Sequence, residues 1–293
     1  MVDVPRTGVI HDLGYRPYDG PRAGGGAIAT ALFLSGLRNA FGLGRSGKSK
    51  VLPFLLLGLN LLPAVIIVGV MVLVGLDDLP IDYARYASST QILLSIFVAA
   101  QAPVLFSRDL RHGSIALYLA RPLSSAAYAV ARWAALLAAT LVFLLVPILA
   151  LYVGAVLGEL DFTEQTEGAV KAALLAVLLA LMLTGIGGLI ASVSVRRGFA
   201  VVATIAVLLL GNGVVTAIQG ISEEQGEPGV GEVAGLFSPY SLYRGGMSAL
   251  TDNLALTPPT GAAMTAAYFT VMVLVALAGL AGLAIRYRRI AGR

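Results

Sequence analysis

Long apolar runs alternate with short polar ones along this chain, and the apolar positions follow no strand-like alternation. Six runs stand out, at 51–76, 90–106, 131–157, 169–194, 198–219 and 262–285. A helix rises about 1.5 Å per residue and a hydrocarbon core is about 30 Å thick, so five of the runs exceed the length needed to cross. The second, ending at Phe106, is the shortest. Helices satisfy their own backbone groups in lipid, so the pattern predicts an all-α polytopic membrane protein. A shorter apolar stretch, 27–41, sets Phe33, Leu37 and Phe41 at helical spacing. It carries Arg38 and is followed by Arg45, Lys48 and Lys50. That arrangement predicts a helix lying in the membrane interface, with a soluble helix packed on a partner as the alternative. The chain thus divides into an N-terminal segment, 1–50, and a six-helix body, 51–293. Within 1–50, residues 5–26 are rich in Gly, Pro, Tyr and Arg. They read either as an irregular segment pinned to a partner by Tyr15 and Tyr18 or as a loose tail.

Composition agrees with lipid as the solvent: 58% of residues are apolar and 12% charged, against about a quarter charged in soluble domains. The charges also alternate in sign between runs. Seventeen of the 20 basic residues fall in 1–50, 107–132, Arg196–Arg197 and the tail from Arg286, while 12 of the 16 acidic residues fall in the other three connections. The positive-inside rule then predicts cytoplasmic N and C termini. The connection 220–261 lies on the outer side in this scheme. Its first part is polar. Its second part, with Phe237, Tyr240, Leu242, Tyr243, Met247 and Leu250, predicts short helices dipping into the outer interface, opened by Ser238-Pro239. No cleavable signal peptide is evident, since 27–37 lacks a basic start and a small-residue cleavage site. An Arg- and Ala-rich, Lys-poor composition points to a high-GC bacterium, and the expected location is its cytoplasmic membrane.

Little in the chain resembles catalytic chemistry. Without cysteine there is no thiolate metal site or thiol nucleophile. His11 and His112 have no partners at metal-ligand spacing. Gly42-Leu43-Gly44-Arg45-Ser46-Gly47-Lys48-Ser49 matches the P-loop letters, but such a loop needs a strand before it and a helix whose amides face phosphate after it. Here a helical stretch precedes it and a membrane span follows, so the string reads as a decoy: a Gly/Ser hinge with basic residues at the membrane surface. Asp109, His112 and Ser114 have hydrolase residue types, yet their spacing does not aim three side chains at one atom. No soluble stretch exceeds the first 50 residues, too few for an independent catalytic domain.

The spans carry no Asp, Glu, Lys or Arg at mid-membrane. Arg132 lies near the inner edge and Lys171 near the outer, so an ion-coupled transporter has no evident coupling site. Asn60, Gln91, Ser95, Gln101, Thr140, Thr184 and Asn212 supply the buried polarity, either lining a path or bonding helix to helix. Ala172, Ala176, Ala180, Thr184, Gly188 and Ser192 recur at i+4, Gly154 and Gly158 form a GxxxG, and Ala278 and Gly282 a further small pair. Each reads as close internal packing or as a subunit seam.

The cytoplasmic connection 107–130 contains Arg108, Asp109, Leu110, Arg111, Gly113, Ser114, Ile115, Leu117, Leu119, Arg121, Pro122 and Ser124. Its apolar stripe and flanking charges predict a short amphipathic helix, ended by Pro122, that a soluble protein can grip. This segment resembles the first cytoplasmic loop of type 2 ATP-binding cassette (ABC) permeases. That loop runs from an acidic residue through Gly-Thr/Ser and leucines to a basic residue and Pro. Here Asp109 stands where Glu is commoner, and Ser114 where Thr is commoner. The six spans, the preceding interfacial helix and the Ser-Pro-bearing outer loop extend the likeness along the chain; the Gly/Tyr/Pro N-terminus falls outside it.

The resemblance implies one transmembrane subunit of an ATP-driven exporter. Two such subunits, identical or paralogous, would pair with two ABC ATPase subunits that bind ATP and Mg, with no cofactor or metal in this chain. The helix around Asp109–Ala120 would be the coupling helix. The first, second and fifth spans would line the substrate seam, and the walls favour an apolar or amphiphilic cargo. Membrane lipids are expected partners and nucleic acid is not. The rival classes are a stand-alone secondary transporter or channel, and a membrane anchor for a soluble enzyme.

Overall fold

The computed structural model describes residues 20, 23–111, 113, 115–119, 123–194, 196–251 and 255–291. All regular elements among them are helical. In chain order they are α1 (Gly25–Ala40), α2 (Lys48–Val74), α3 (Tyr83–Ser89), α4 (Gln91–Leu105), α5 (Ser107–Arg111), α6 (Ile115–Leu119), α7 (Ser125–Leu157) and α8 (Phe162–Val193). There follow α9 (Arg197–Ile205), a π-helical turn (Ala206–Leu210), α10 (Gly211–Glu224), α11 (Pro228–Gly235), α12 (Pro239–Leu250) and α13 (Gly261–Ala291). Among the described residues, six helical segments are long and apolar enough to cross a membrane: α2, α4 with α5, α7, α8, α9 with α10, and α13.

Local chemistry sets the element ends. Asp82, Ser124, Asp161 and Ser238 each cap a helix by accepting a hydrogen bond from a first-turn amide, satisfying donors that have no partner inside the helix. Pro239 follows Ser238 at the first turn, where its missing N–H costs nothing. Gly75 ends α2 at φ 70°, in the left-handed region.

Several boundaries differ from the sequence pattern. The second span continues past Phe106 as far as Arg111, reaching 21 residues. The third begins at Ser125, six positions before the apolar run, because Ser124 caps it. Its 33 residues reach about 50 Å, more than a hydrocarbon core needs. The fifth carries a π turn in mid-span. Helix α3, within a polar connection, has no counterpart in the hydropathy pattern; Asp82 starts it, and Tyr83 and Tyr86 bury their rings.

Burial orders the bundle. Of the second span's most apolar window, 72% is buried, against 17% for the first span and 22% for the fifth. Helix α4 therefore forms the centre, packed against α7, α8 and α9, while α2 and α10 keep broad apolar faces outward. In a chain of this composition, lipid covers such faces. Helix α1 lies along α7 through Leu32, Gly36 and Ala40. A Cβ on Gly36 would come 2.8 Å from the Ala135 methyl. The surface that receives α1 is thus this chain's own third span.

The small residues serve internal packing. Ala172, Ala176, Ala180, Thr184, Gly188 and Ser192 are all buried inside the bundle. A Cβ on Gly279 of α13 would meet the Gly185 Cα of α8 at 2.5 Å, so these helices touch backbone to backbone. Gly154 of α7 and Gly158 at its C-terminal cap lie under Val68 and Met71 of α2, and Gly282 lies under Leu189 while Ala278 faces outward. Close approach of this kind is how small residues hold membrane helices together.

Candidate functional site

The segment resembling a coupling loop folds as two one-turn helices, α5 and α6, rather than one continuous helix. Gly113 lies between them at φ 64°, a conformation that favours glycine and interrupts a helix. His112, Ser114, Ala120, Arg121 and Pro122 lie outside the described residues, as do Tyr15 and Tyr18. Helix α5 is tied to the end of α8, where the Ser107 hydroxyl donates to the Ala191 carbonyl at 2.7 Å.

Asp109 turns inward and is 4% exposed. The Arg132 guanidinium of α7 donates to its carboxylate, and the Tyr128 hydroxyl donates to the same oxygen at 2.6 Å. Arg108 Nε lies 4.0 Å from the other oxygen. A charged pair taken out of water persists only with good geometry and further hydrogen bonds, and Tyr128 supplies one here. Aromatic rings enclose the pair. The Arg132 guanidinium carbon lies 5.7 Å from the Tyr118 ring centre and 5.6 Å from that of Tyr128, within cation–π range. Tyr128 packs on Tyr287 of α13 at 5.1 Å between centres, and Tyr287 contacts Phe106 at 6.3 Å. One side of the loop is thereby fastened to α7 and α8, and Tyr128 of α7 packs in turn on α13.

The other side faces out. Arg111 and Gly113 are exposed, and Leu117 is 73% exposed, while Ile115 is buried. Leu110 and Tyr118 pack partly against the core; for Leu119 only the backbone is described. The segment presents a small outward face on an inward anchor.

Sequence reading missed the anchor residues Arg132, Tyr128, Tyr118 and Tyr287. A usable signal was present in Arg132, a lone cation inside an apolar run, which requires a counter-charge from another element.

The expected path residues do not converge. Asn60 Nδ2 donates to the Phe143 carbonyl at 2.8 Å, and Tyr86 donates to the Asn60 carbonyl, joining α2, α3 and α7. The Ser95 and Tyr240 hydroxyls are 2.5 Å apart, and the Tyr240 hydroxyl also donates to the Gln91 carbonyl at 3.1 Å, joining α4 to α12. Asn212 Oδ1 accepts from Ser238 and from Arg244 at 2.9 and 3.3 Å, and Arg244 also donates to Thr216. Desolvation lowers the Arg244 pKa, and these neutral acceptors replace part of the lost water. Gln101 is buried in α4. Thr140 and Thr184 return their hydroxyls to carbonyls of their own helices. Asn60, Ser95 and Asn212 thus join different helices in separate places.

The P-loop-like string connects two helices. Gly42 and Gly44 have φ of 68° and 77°, and the Ser49 hydroxyl donates to the Ser46 carbonyl at 2.7 Å. Helix α1 feeds it where a nucleotide loop needs a strand. Among the described residues, no three His, Asp or Glu side chains are grouped to hold a metal ion.

No protein-family model matches this sequence, and no curated protein matches it either. The class rests on the structure itself: six helices long and apolar enough to cross a bilayer make this a multi-pass α-helical membrane protein.

Proposed function

We propose that this chain is the transmembrane permease subunit of an ATP-driven exporter of the type 2 ABC kind. It works with two ATP-binding subunits and a second permease, identical or paralogous, in a bacterial cytoplasmic membrane. Both termini are cytoplasmic in this reading. The concentration of Lys and Arg in 1–50, 107–132, 196–197 and the tail supports that orientation.

The observation that carries the reading is the two-sided build of α5 and α6. Asp109 is bonded inward to Arg132 and Tyr128, while Arg111 and Leu117 stand exposed on the same short segment. A handle must offer a face to a soluble motor and be fixed to what it moves. ATP binding in the partner ATPases shifts the seat of this segment. The Asp109–Arg132 pair relays the shift to α7, and the Tyr128–Tyr287 contact relays it to α13. Differential binding of ATP by the motor then biases a two-state bundle. The scarcity of polar groups along the apolar walls supports an apolar or amphiphilic cargo.

The test is purification of the tagged chain from its native host, with associated proteins identified by mass spectrometry. The expected result is co-purification of an ATPase in equal stoichiometry, reduced at least tenfold by Leu117→Asp with the thermal midpoint unchanged. Recovery of the unmodified chain with no ATPase overturns the reading.

A further inference from the structure

Four arginines from three segments distant in sequence meet around one cleft of about 170 Å³: Arg45 from the α1–α2 connection, Arg108 and Arg111 from α5, and Arg197 from the start of α9. Pro103, Val104 and Ser107 complete its lining. The packing of α4 on α9 and the Ser107–Ala191 bond bring these segments together. Like charges gathered this way repel one another. The Arg45 pKa is lowered, first by desolvation and then by the charges of Arg108 and Arg197. Asp109 approaches Arg108 Nε at 4.0 Å, and its carboxylate also accepts from Arg132 and Tyr128. Guanidinium groups converging at one place suit a phosphate, which they bind through planar, paired donors.

An apolar groove lies at the same junction of α8 and α9. It runs between the end of α8 and the start of α9, has a volume of about 980 Å³, and is lined by Leu189, Ile190, Val193, Phe199 and Val202. Successive residues divide the two spaces, with Arg196 lining the groove and Arg197 the cleft. Both lie where the second span ends and the fifth begins, which is the depth of lipid headgroups for a protein with these spans.

We propose that the cleft and groove together form a binding site for an anionic phospholipid, with the phosphate of the headgroup among the four arginines and an acyl chain along Val193 and Phe199. The proposal rests on the cleft, the groove and the six spans, and is independent of any coupling to ATP hydrolysis. It also gives the P-loop-like string a role, since Arg45 stands at its centre: the string supplies a cation for a lipid phosphate rather than a cradle for a nucleotide.

The test is native mass spectrometry of the detergent-purified protein titrated with phosphatidylglycerol or phosphatidylcholine. The unmodified protein is expected to retain phosphatidylglycerol at least tenfold better. Each arginine near a membrane surface contributes about fivefold to the binding of an anionic lipid, so Arg45→Gln/Arg111→Gln/Arg197→Gln is expected to lose more than tenfold. Arg288→Gln/Arg289→Gln, which removes exposed charge at the end of α13, is expected to change retention by less than twofold. Equal retention of the two lipids by the unmodified protein overturns the proposal without reference to any variant. Equal losses in the two variant sets overturn it in favour of general surface charge. Full competition by glycerol phosphate or ATP overturns the lipid assignment in favour of a soluble anion.

Discussion

Arg132 of α7 donates a hydrogen bond to the carboxylate of Asp109 in α5, and the two residues are 1% and 4% exposed. The bond crosses from the loop with the outward-facing Leu117 into the longest membrane helix, and Tyr128 reinforces it at 2.6 Å. Neither residue touches the outside. Their chemistry bears on how firmly the loop is held and on how far a displacement of the loop carries into the bundle.

Asp109→Asn strands the buried Arg132 charge, whose Nε and Nη1 have no hydrogen-bond partner among the described residues. Removing one member of a buried pair costs about 3–5 kcal/mol, whereas replacing both with apolar residues of similar size is often close to neutral. The expected outcome is a loss of about 3 kcal/mol for Asp109→Asn and recovery of most of it in Asp109→Leu/Arg132→Met. Chemical denaturation in detergent, run as a double-mutant cycle, measures both. A double variant less stable than Asp109→Asn contradicts the account.

Orientation is directly testable because the chain contains no cysteine. Single cysteines placed at Leu117 and at Glu224, both exposed, report the two sides of the membrane through a membrane-impermeant maleimide. Glu224→Cys is expected to label in intact cells and Leu117→Cys only after the cells are opened. Labelling of Leu117→Cys in intact cells removes the loop from the reach of any cytoplasmic motor.

The Gly185–Gly279 contact predicts a sharp contrast between glycines. Any side chain on Gly279 meets backbone at 2.5 Å, while nothing lies within 4 Å of a Cβ on Gly69 in α2. Gly279→Val is expected to cost about 1–3 kcal/mol, the range for overpacking. Gly69→Ala is expected to be neutral or slightly stabilising, as in an exposed helix interior. Thermal midpoints in detergent decide the comparison.

The number and type of membrane helices were legible because a run of apolar residues leaves a helix little alternative in lipid. The Ser238-Pro239 helix start and the small-residue stripe of α8 were legible too, since caps and i+4 spacing are local. The anchor was not. Asp109 and Arg132 lie 23 positions apart, and tertiary packing alone shows that the acidic residue of an amphipathic stretch points inward. Gly113 breaks that stretch into two turns, which a helical wheel does not register. The arginine cleft was hidden for the same reason, because residues 45, 108, 111 and 197 meet only after α4 packs on α9. Helix α3 escaped notice because its cap, Asp82, sits in a connection read for charge rather than for structure.

The bond network around Tyr240 predicts unequal effects from its two ends. Its hydroxyl lies 2.5 Å from Ser95 Oγ and 3.1 Å from the Gln91 carbonyl, and it joins α12 to the central span. Tyr240→Phe removes the hydroxyl that touches both, whereas Ser95→Ala leaves the bond to the Gln91 carbonyl intact. Hydrogen bonds between membrane helices average about 0.6 kcal/mol and reach about 1.7 kcal/mol. Tyr240→Phe is expected near the upper value, Ser95→Ala near the lower, and the double variant no worse than Tyr240→Phe. Additive losses in equilibrium unfolding show that the two hydroxyls act independently, and α12 is then held by its buried apolar residues rather than by this bond.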